Sequence, residues 1–168
     1  MMYCGLDCST TSSGVGVFED DKLISYYCIK PKSKDWEERI GLFSIELNKI
    51  LNKYPTIEKA FIEDLPLKDG KVTIKKLSCV RGAAKAILTL HNVELIPRSV
   101  NDWRQDASFF DGTRSGMTRD EMKKKAIEEV KRLFNIDVND DVAEGILVGY
   151  RSVYPVSTKR FIGKAHIK

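Results

Sequence analysis

The apolar residues of this chain change period once, and that change limits the architectures open to it. Residues 3–6, 14–18 and 23–29 are short β-prone runs separated by a Ser/Thr turn at 9–13 and by Asp20-Asp21. Three runs joined by brief turns predict an antiparallel meander. From Trp36 to Leu51 the spacing becomes helical, with Ile40, Phe43, Leu47, Ile50 and Leu51 on one face, Asp35 as N-cap and Pro55 as terminator. Strand and helix then alternate: a strand at 59–63, a helix at 73–90, a strand at 93–97 and a helical turn at 100–103. A loop at 105–117 leads into Thr118-Arg119-Asp120-Glu121, the signature of a capping box. The helix behind it stacks Met122, Ala126, Val130, Leu133 and Phe134, breaks at 135–139, and is followed by a last helix at 140–151. This order predicts an α/β domain with a mixed five-stranded sheet flanked by helices.

At 168 residues the chain suits one such domain, assigned to residues 1–155, with a basic C-terminal tail at 156–168. Five of the 28 basic residues and none of the 24 acidic ones lie from Arg151 onward, so the net charge of +4 is a C-terminal excess, suited to phosphates or simply solvated. No apolar run approaches the roughly 20 residues of a bilayer span, and the N-terminus lacks the pattern of a signal peptide. A cytoplasmic protein is expected. Cys4, Cys8, Cys28 and Cys79 have no matching Cys/His pair for zinc and read as buried free thiols.

Acidic residues interrupt otherwise apolar elements at three places. Asp7 ends the first strand, Glu63 and Asp64 end the fourth, and Asp140, Asp141 and Glu144 open the last helix. Carboxylates gathered at adjacent strand ends would repel and raise one another's pKa, and a hard divalent cation relieves that cost. Asp141 and Glu144 are i,i+3 and Asp140 and Glu144 i,i+4, so spacing does not choose between them. Taken singly, Asp7 reads as a turn residue, Glu63-Asp64 as loop acids and Asp140-Asp141 as an N-cap pair. Jointly they point to metal-assisted phosphodiester hydrolysis.

Gly5-Leu6-Asp7 is followed by Gly14-Val15-Gly16-Val17, then by Phe61-Ile62-Glu63, Arg81-Gly82, Pro97-Arg98-Ser99-Val100 and Asp141-Val142-Ala143-Glu144-Gly145. In these motifs and their order the chain resembles the RuvC family of Holliday junction resolvases, in particular its bacteriophage-type members. The resemblance implies an RNase H-like fold, a homodimer, cleavage of four-way DNA junctions and, if phage-encoded, a place in the bacterial host's cytoplasm. It also implies Asp7, Glu63, Asp141 and Glu144 as metal-binding catalytic acids for Mg²⁺ (Mn²⁺ as substitute), two ions per site. Lys123 aligns with a basic residue near the scissile phosphate, or is one solvated member of Lys123-Lys124-Lys125; Asp140 is a substitute candidate among the acids. Three features depart from the family pattern: the turn reads Asp7-Cys8-Ser9-Thr10, the last acid is Glu144 where cellular members often have Asp, and Asp64-Leu65-Pro66-Leu67 carries no junction-contacting aromatic. Broader action on branched DNA, including forks and flaps, is therefore expected.

Other residues have two readings. Lys68, Lys71, Lys75, Lys76, Arg81 and Lys85 form either a phosphate-facing surface or a solvated helix face. Phe109-Phe110 with Arg114 either stack on unpaired bases or plug the fold or a dimer contact. Leu77, Val80, Ala84 and Leu88 suit a dimer interface or the chain's own sheet. Trp36 and Trp103 read as core. Two further functions compete: a non-catalytic RNase H-like module that binds DNA or a partner, and an RNase H-type nuclease acting on RNA–DNA hybrids. An actin-like ATP site is disfavoured, because no phosphate-binding loop appears beyond Gly14-Val15-Gly16.

Overall fold

A computed structural model describes residues 1–65, 70–109 and 117–156. Lys68, Phe110, Arg114 and nearly all of the basic tail lie outside the described residues. Strands β1 (Met2–Asp7), β2 (Ser13–Glu19) and β3 (Lys22–Ile29) form the expected meander, followed by α1 (Trp36–Lys53), β4 (Ile57–Glu63), α2 (Lys71–Leu90) and β5 (Glu94–Arg98). Helices α3 (Val100–Asp106), α4 (Arg119–Phe134) and α5 (Asp140–Val153) complete the chain. The sheet order is β3-β2-β1-β4-β5; the first three strands pair antiparallel, and β4 runs parallel to both β1 and β5. Helix α3 extends a turn beyond the expected 100–103, with Ser99 accepting from the Asp102 amide as N-cap.

Side-chain alternation divides the core between the two faces of the sheet. Leu6, Val15, Val17, Ala60 and Ile62 face α1 and α2, meeting Phe43, Leu47, Val80 and Leu88. Tyr3, Phe18 and Phe61 face the other way, with Trp103, Met122, Ala126, Val130 and the buried stripe of α5. Val80, Ala84 and Leu88 are therefore spent on the chain's own core. Trp103 is fully buried as expected, and Phe109 is a plug packed edge-on against it at 5.9 Å. Two expectations need correcting. Trp36 is only half-buried, with the ammonium groups of Lys75 and Lys76 over its ring, and Cys28 and Cys79 are exposed rather than buried.

Helix α5 is the packing element that matters for the rest. It crosses β1 and β2 on a seam of glycines, backbone against backbone. A Cβ on Gly5 would lie 2.2 Å from the Gly145 carbonyl oxygen, one on Gly14 1.8 Å from that of Asp141, and one on Gly145 2.4 Å from that of Gly14. Only hydrogen fits at these positions. The seam draws the first turn of α5 down to the carboxyl end of β1, while Phe18, Phe134 and Tyr150 fill the wider space beside the helix further along.

Gly145→Ala should therefore cost about 3 kcal/mol or more, at or above the upper range of core overpacking, because the obstruction is backbone. Gly41→Ala, where an added Cβ meets nothing, should instead stabilise α1 by about 0.5–1 kcal/mol. Thermal unfolding of the two variants checks this; equal midpoints would contradict the seam.

Candidate active site

The parallel pairing sets Leu6 beside Ile62 and Glu63 beside Arg98, so Asp7 and Glu63 end adjacent strands at one edge of the sheet. Both belong to the side-chain set that faces α5, which begins directly above them. Asn139 caps that helix by accepting from the Val142 amide at 2.9 Å. The cap is thus Asn139 rather than the Asp140-Asp141 pair. These elements enclose a cleft of about 730 Å³ lined by Asp7, Glu63, Asp141, Glu144 and Lys123. All five residues singled out by resemblance thus share one cleft. Asp140 does not line it: its carboxylate takes the Lys123 ammonium, which holds it below the usual carboxylate range. Lys123 consequently lines the cleft with its charge already engaged.

Two functional candidates escaped the sequence reading, and both come from α3. Arg104 reaches into the cleft, and its Nη2 donates to Glu144 Oε1 at 2.8 Å. The Trp103 indole N–H donates to Glu63 Oε2 at 2.9 Å, so this core residue also aims a carboxylate. Arg119, at the start of α4, adds a further cation to the lining. Of the basic cluster expected around α2, Lys76 lines the cleft, whereas Arg81 pairs with Asp64 at the rim.

Electrostatics single out Asp7. Loss of hydration, then the charges of Glu63, Glu144 and Asp141, push its carboxyl well above the ordinary range, with Arg104 opposing. Glu63 is raised by burial and then by Glu144, against the Trp103 hydrogen bond and the charges of Arg104 and Arg119. The neighbouring Cys8 thiol is pushed up by burial and then by Asp7, so it faces the cleft as a neutral group. Among the described residues no three Asp, Glu, His or Cys side chains stand, as placed, in a group that could hold a metal ion. In this arrangement Glu144 accepts from Arg104 and Glu63 from Trp103. Hard oxygen donors that repel one another nevertheless have the chemistry of a divalent-cation site.

No family model matches the chain, and no curated protein matches it in sequence. Solved structures do. Thermus thermophilus RuvC, in complex with a Holliday junction substrate, superposes with a TM-score of 0.74 at 14% identity, covering 92% of this chain and 93% of that one. The fold is RuvC-like. The Holliday junction resolvase of fowlpox virus matches with a TM-score of 0.55 at 15% identity over 88% of this chain and 94% of its own. The yeast mitochondrial resolvase gives 0.50 at 13%, over 90% and 79%. No helix of the described residues is long and apolar enough to cross a membrane.

The raised carboxyl of Asp7 has a consequence for stability. It is protonated more readily in the folded chain than at its unfolded value near 3.8, so the native state binds more protons in that window. Metal-free stability must then fall as pH rises from the unfolded value through the raised one. Asp7→Asn removes the charge and should raise the neutral-pH melting temperature in chelator, by about 2–4 °C per kcal/mol of repulsion relieved. The gain should vanish below pH 4, as melting curves across pH would show.

Proposed function

We propose that the chain is a divalent-metal-dependent endonuclease that hydrolyses phosphodiesters in branched DNA, four-way junctions foremost and forks and flaps beside them. One observation carries this reading: Asp7, Glu63, Asp141 and Glu144 converge in one cleft, where burial and then the charges of the other three push Asp7 upward. Folding gives no reason for such a cluster. Asp7, Glu63, Asp141 and Glu144 are the residues to hold Mg²⁺, or Mn²⁺ in its place, as two ions. When bound, that metal pair supplies an activated water and neutralises charge on the phosphate oxygens.

The protein's own part is positioning. Trp103 fixes the direction of Glu63 from a fully buried ring. Arg104, stacked on the Trp103 ring at 5.1 Å and paired with Glu144, can exchange that carboxylate for a substrate phosphate. Arg119 and Lys123 face the same space and suit the flanking phosphates. A symmetric junction presents two opposed strands, so a homodimer suits the task. Its interface needs surfaces other than Val80, Ala84 and Leu88. The same fold could cut RNA–DNA hybrids or only bind DNA, but the likeness to Holliday junction resolvases favours cleavage of branched DNA.

Asp7→Asn should lower Mg²⁺-dependent cleavage of a four-way junction at least about a thousandfold (about 4 kcal/mol of barrier) and leave junction binding in chelator within about twofold. Undiminished cleavage would contradict the assignment. Assayed side by side, a junction and a flap should be cut and an RNA–DNA hybrid spared; preference for the hybrid would transfer the enzyme to the RNase H class. A readout independent of activity comes from Trp103. In Trp36→Phe, where Trp103 is the single tryptophan, Mg²⁺ should shift the indole emission as Glu63 turns toward the cation. Glu63→Gln should abolish the shift.

A further inference from the structure

A second concavity, of about 650 Å³, lies between the end of β3 and the outer face of α1, apart from the acidic cleft. Its volume falls within the roughly 300–1,000 Å³ of ligand-binding sites. Four lysines ring it, Lys30, Lys32, Lys49 and Lys53, against one acid, Glu46, which Lys49 already neutralises at 2.7 Å. Lys30 and Lys32 have no ion pair among the described residues. The floor is apolar, formed by Leu42 and Ile50 with the Tyr27 ring at one end. Lys53 is held in place there: its ammonium donates to the Tyr27 hydroxyl at 3.2 Å and lies over the Tyr27 and Tyr54 rings at 5.7 and 5.3 Å. Cations around an apolar floor match a ligand that is anionic along one edge and flat and apolar along the other. Unpaired nucleotides have that character; the bases of a duplex are stacked away.

The groove also lies close to the cleft. Ser13 pairs with Ile29, so β3 ends at the edge of the sheet where Asp7 stands. Only the turn at residues 8–12 separates the two, and Ser12 Oγ touches Cys28 Sγ at 3.5 Å. Arg39 of α1 stiffens this ridge, donating to the carbonyls of Thr10 and Ser33, both at 2.8 Å. From the end of β1 to that of β3 is two strand spacings, about 10 Å, a gap that a few nucleotides of an unpaired strand can cross.

We propose that this groove binds the unpaired DNA strand that leaves the acidic cleft, with phosphates on Lys30 and Lys32 and a base over the apolar floor. The strand's path rests on the nuclease reading; the binding itself does not. The test therefore uses full-length protein in chelator, where no cleavage occurs, with a fluorescent oligothymidylate and a blunt duplex of equal length as probes. Lys30→Glu/Lys32→Glu should weaken oligothymidylate binding at least tenfold. It should also flatten the dependence of log K on log salt by about 1.4, from about 0.7 per contact on single strands. Lys22→Glu, at the opposite end of β3, carries half that charge change and should do neither. A loss confined to the duplex, an equal loss with Lys22→Glu, or no loss would overturn the proposal.

Junction cleavage by Asp7→Asn is read separately, so failure of either assignment leaves the other measurable.

Discussion

The contact between α5 and the β1–β2 pair is the constraint on which the rest of the molecule depends. Strand alternation puts Tyr3, Gly5 and Asp7 on one face of β1, and Gly14, Gly16 and Phe18 on the same face of β2. Glycine in the middle of each row lets the helix touch the sheet through backbone atoms, while aromatic rings at the far end take up the diverging space. The helix is therefore located by packing at its middle, and its amino-terminal turn falls where β1 and β4 end. Asp141 and Glu144 meet Asp7 and Glu63 because of where Gly145 must sit. A side chain anywhere on the seam would lift the helix and part the acids.

Gathering carboxylates in this way works against stability, and the fold answers with groups brought from outside the sheet. Helix α3 packs Trp103 into the core and uses the same indole to hold Glu63, while the next residue, Arg104, neutralises Glu144. Arg98 at the end of β5 pairs with Asp106 at the end of α3, which ties this short helix to the strand that precedes it. Helix α4 contributes Arg119 and Lys123, and Lys123 is balanced by Asp140 one position outside the cleft. Cations thus share the cleft with the acids, and the Asp7 carboxyl is still pushed well above its ordinary range.

Much of this was legible in the chain, for physical reasons that also explain what was not. Period-two and helical patterns report burial directly, so the order of elements and the meander could be read. An acid closing an apolar strand is conspicuous, which marked Asp7 and Glu63. The choice between Asp140 and Asp141 depends on the phase of α5 and on a lysine 17 residues earlier, which spacing within the helix cannot supply. Arg104 and Trp103 stayed hidden because a tryptophan reads as core whether or not its N–H is employed, and the aim of α3 is set by tertiary contacts. Gly145 and Gly149 did leave a trace: four apart, they lie on one helix face, and they echo Gly14 and Gly16 on the strand. Cys28 and Trp36 misled because residue type reports average burial, whereas both sit at edges, beside the cleft turn and at the start of α1.

The RuvC-like fold at 14% identity shows how little of the architecture depends on particular core residues. Apolar side chains of suitable volume can be exchanged across such a core with modest cost. The acids are different, because Asp7 and Glu63 make the folded state harder to form at neutral pH rather than easier. Their neighbours do not rescue them fully: Arg104 lowers both without reversing either shift. A chain selected only to fold would place apolar or amide groups at these strand ends, where they would pack against α5 without repulsion. Four carboxylates gathered at this end of the sheet, with Arg104 and Arg119 opposing the repulsion, are an expense that packing does not explain.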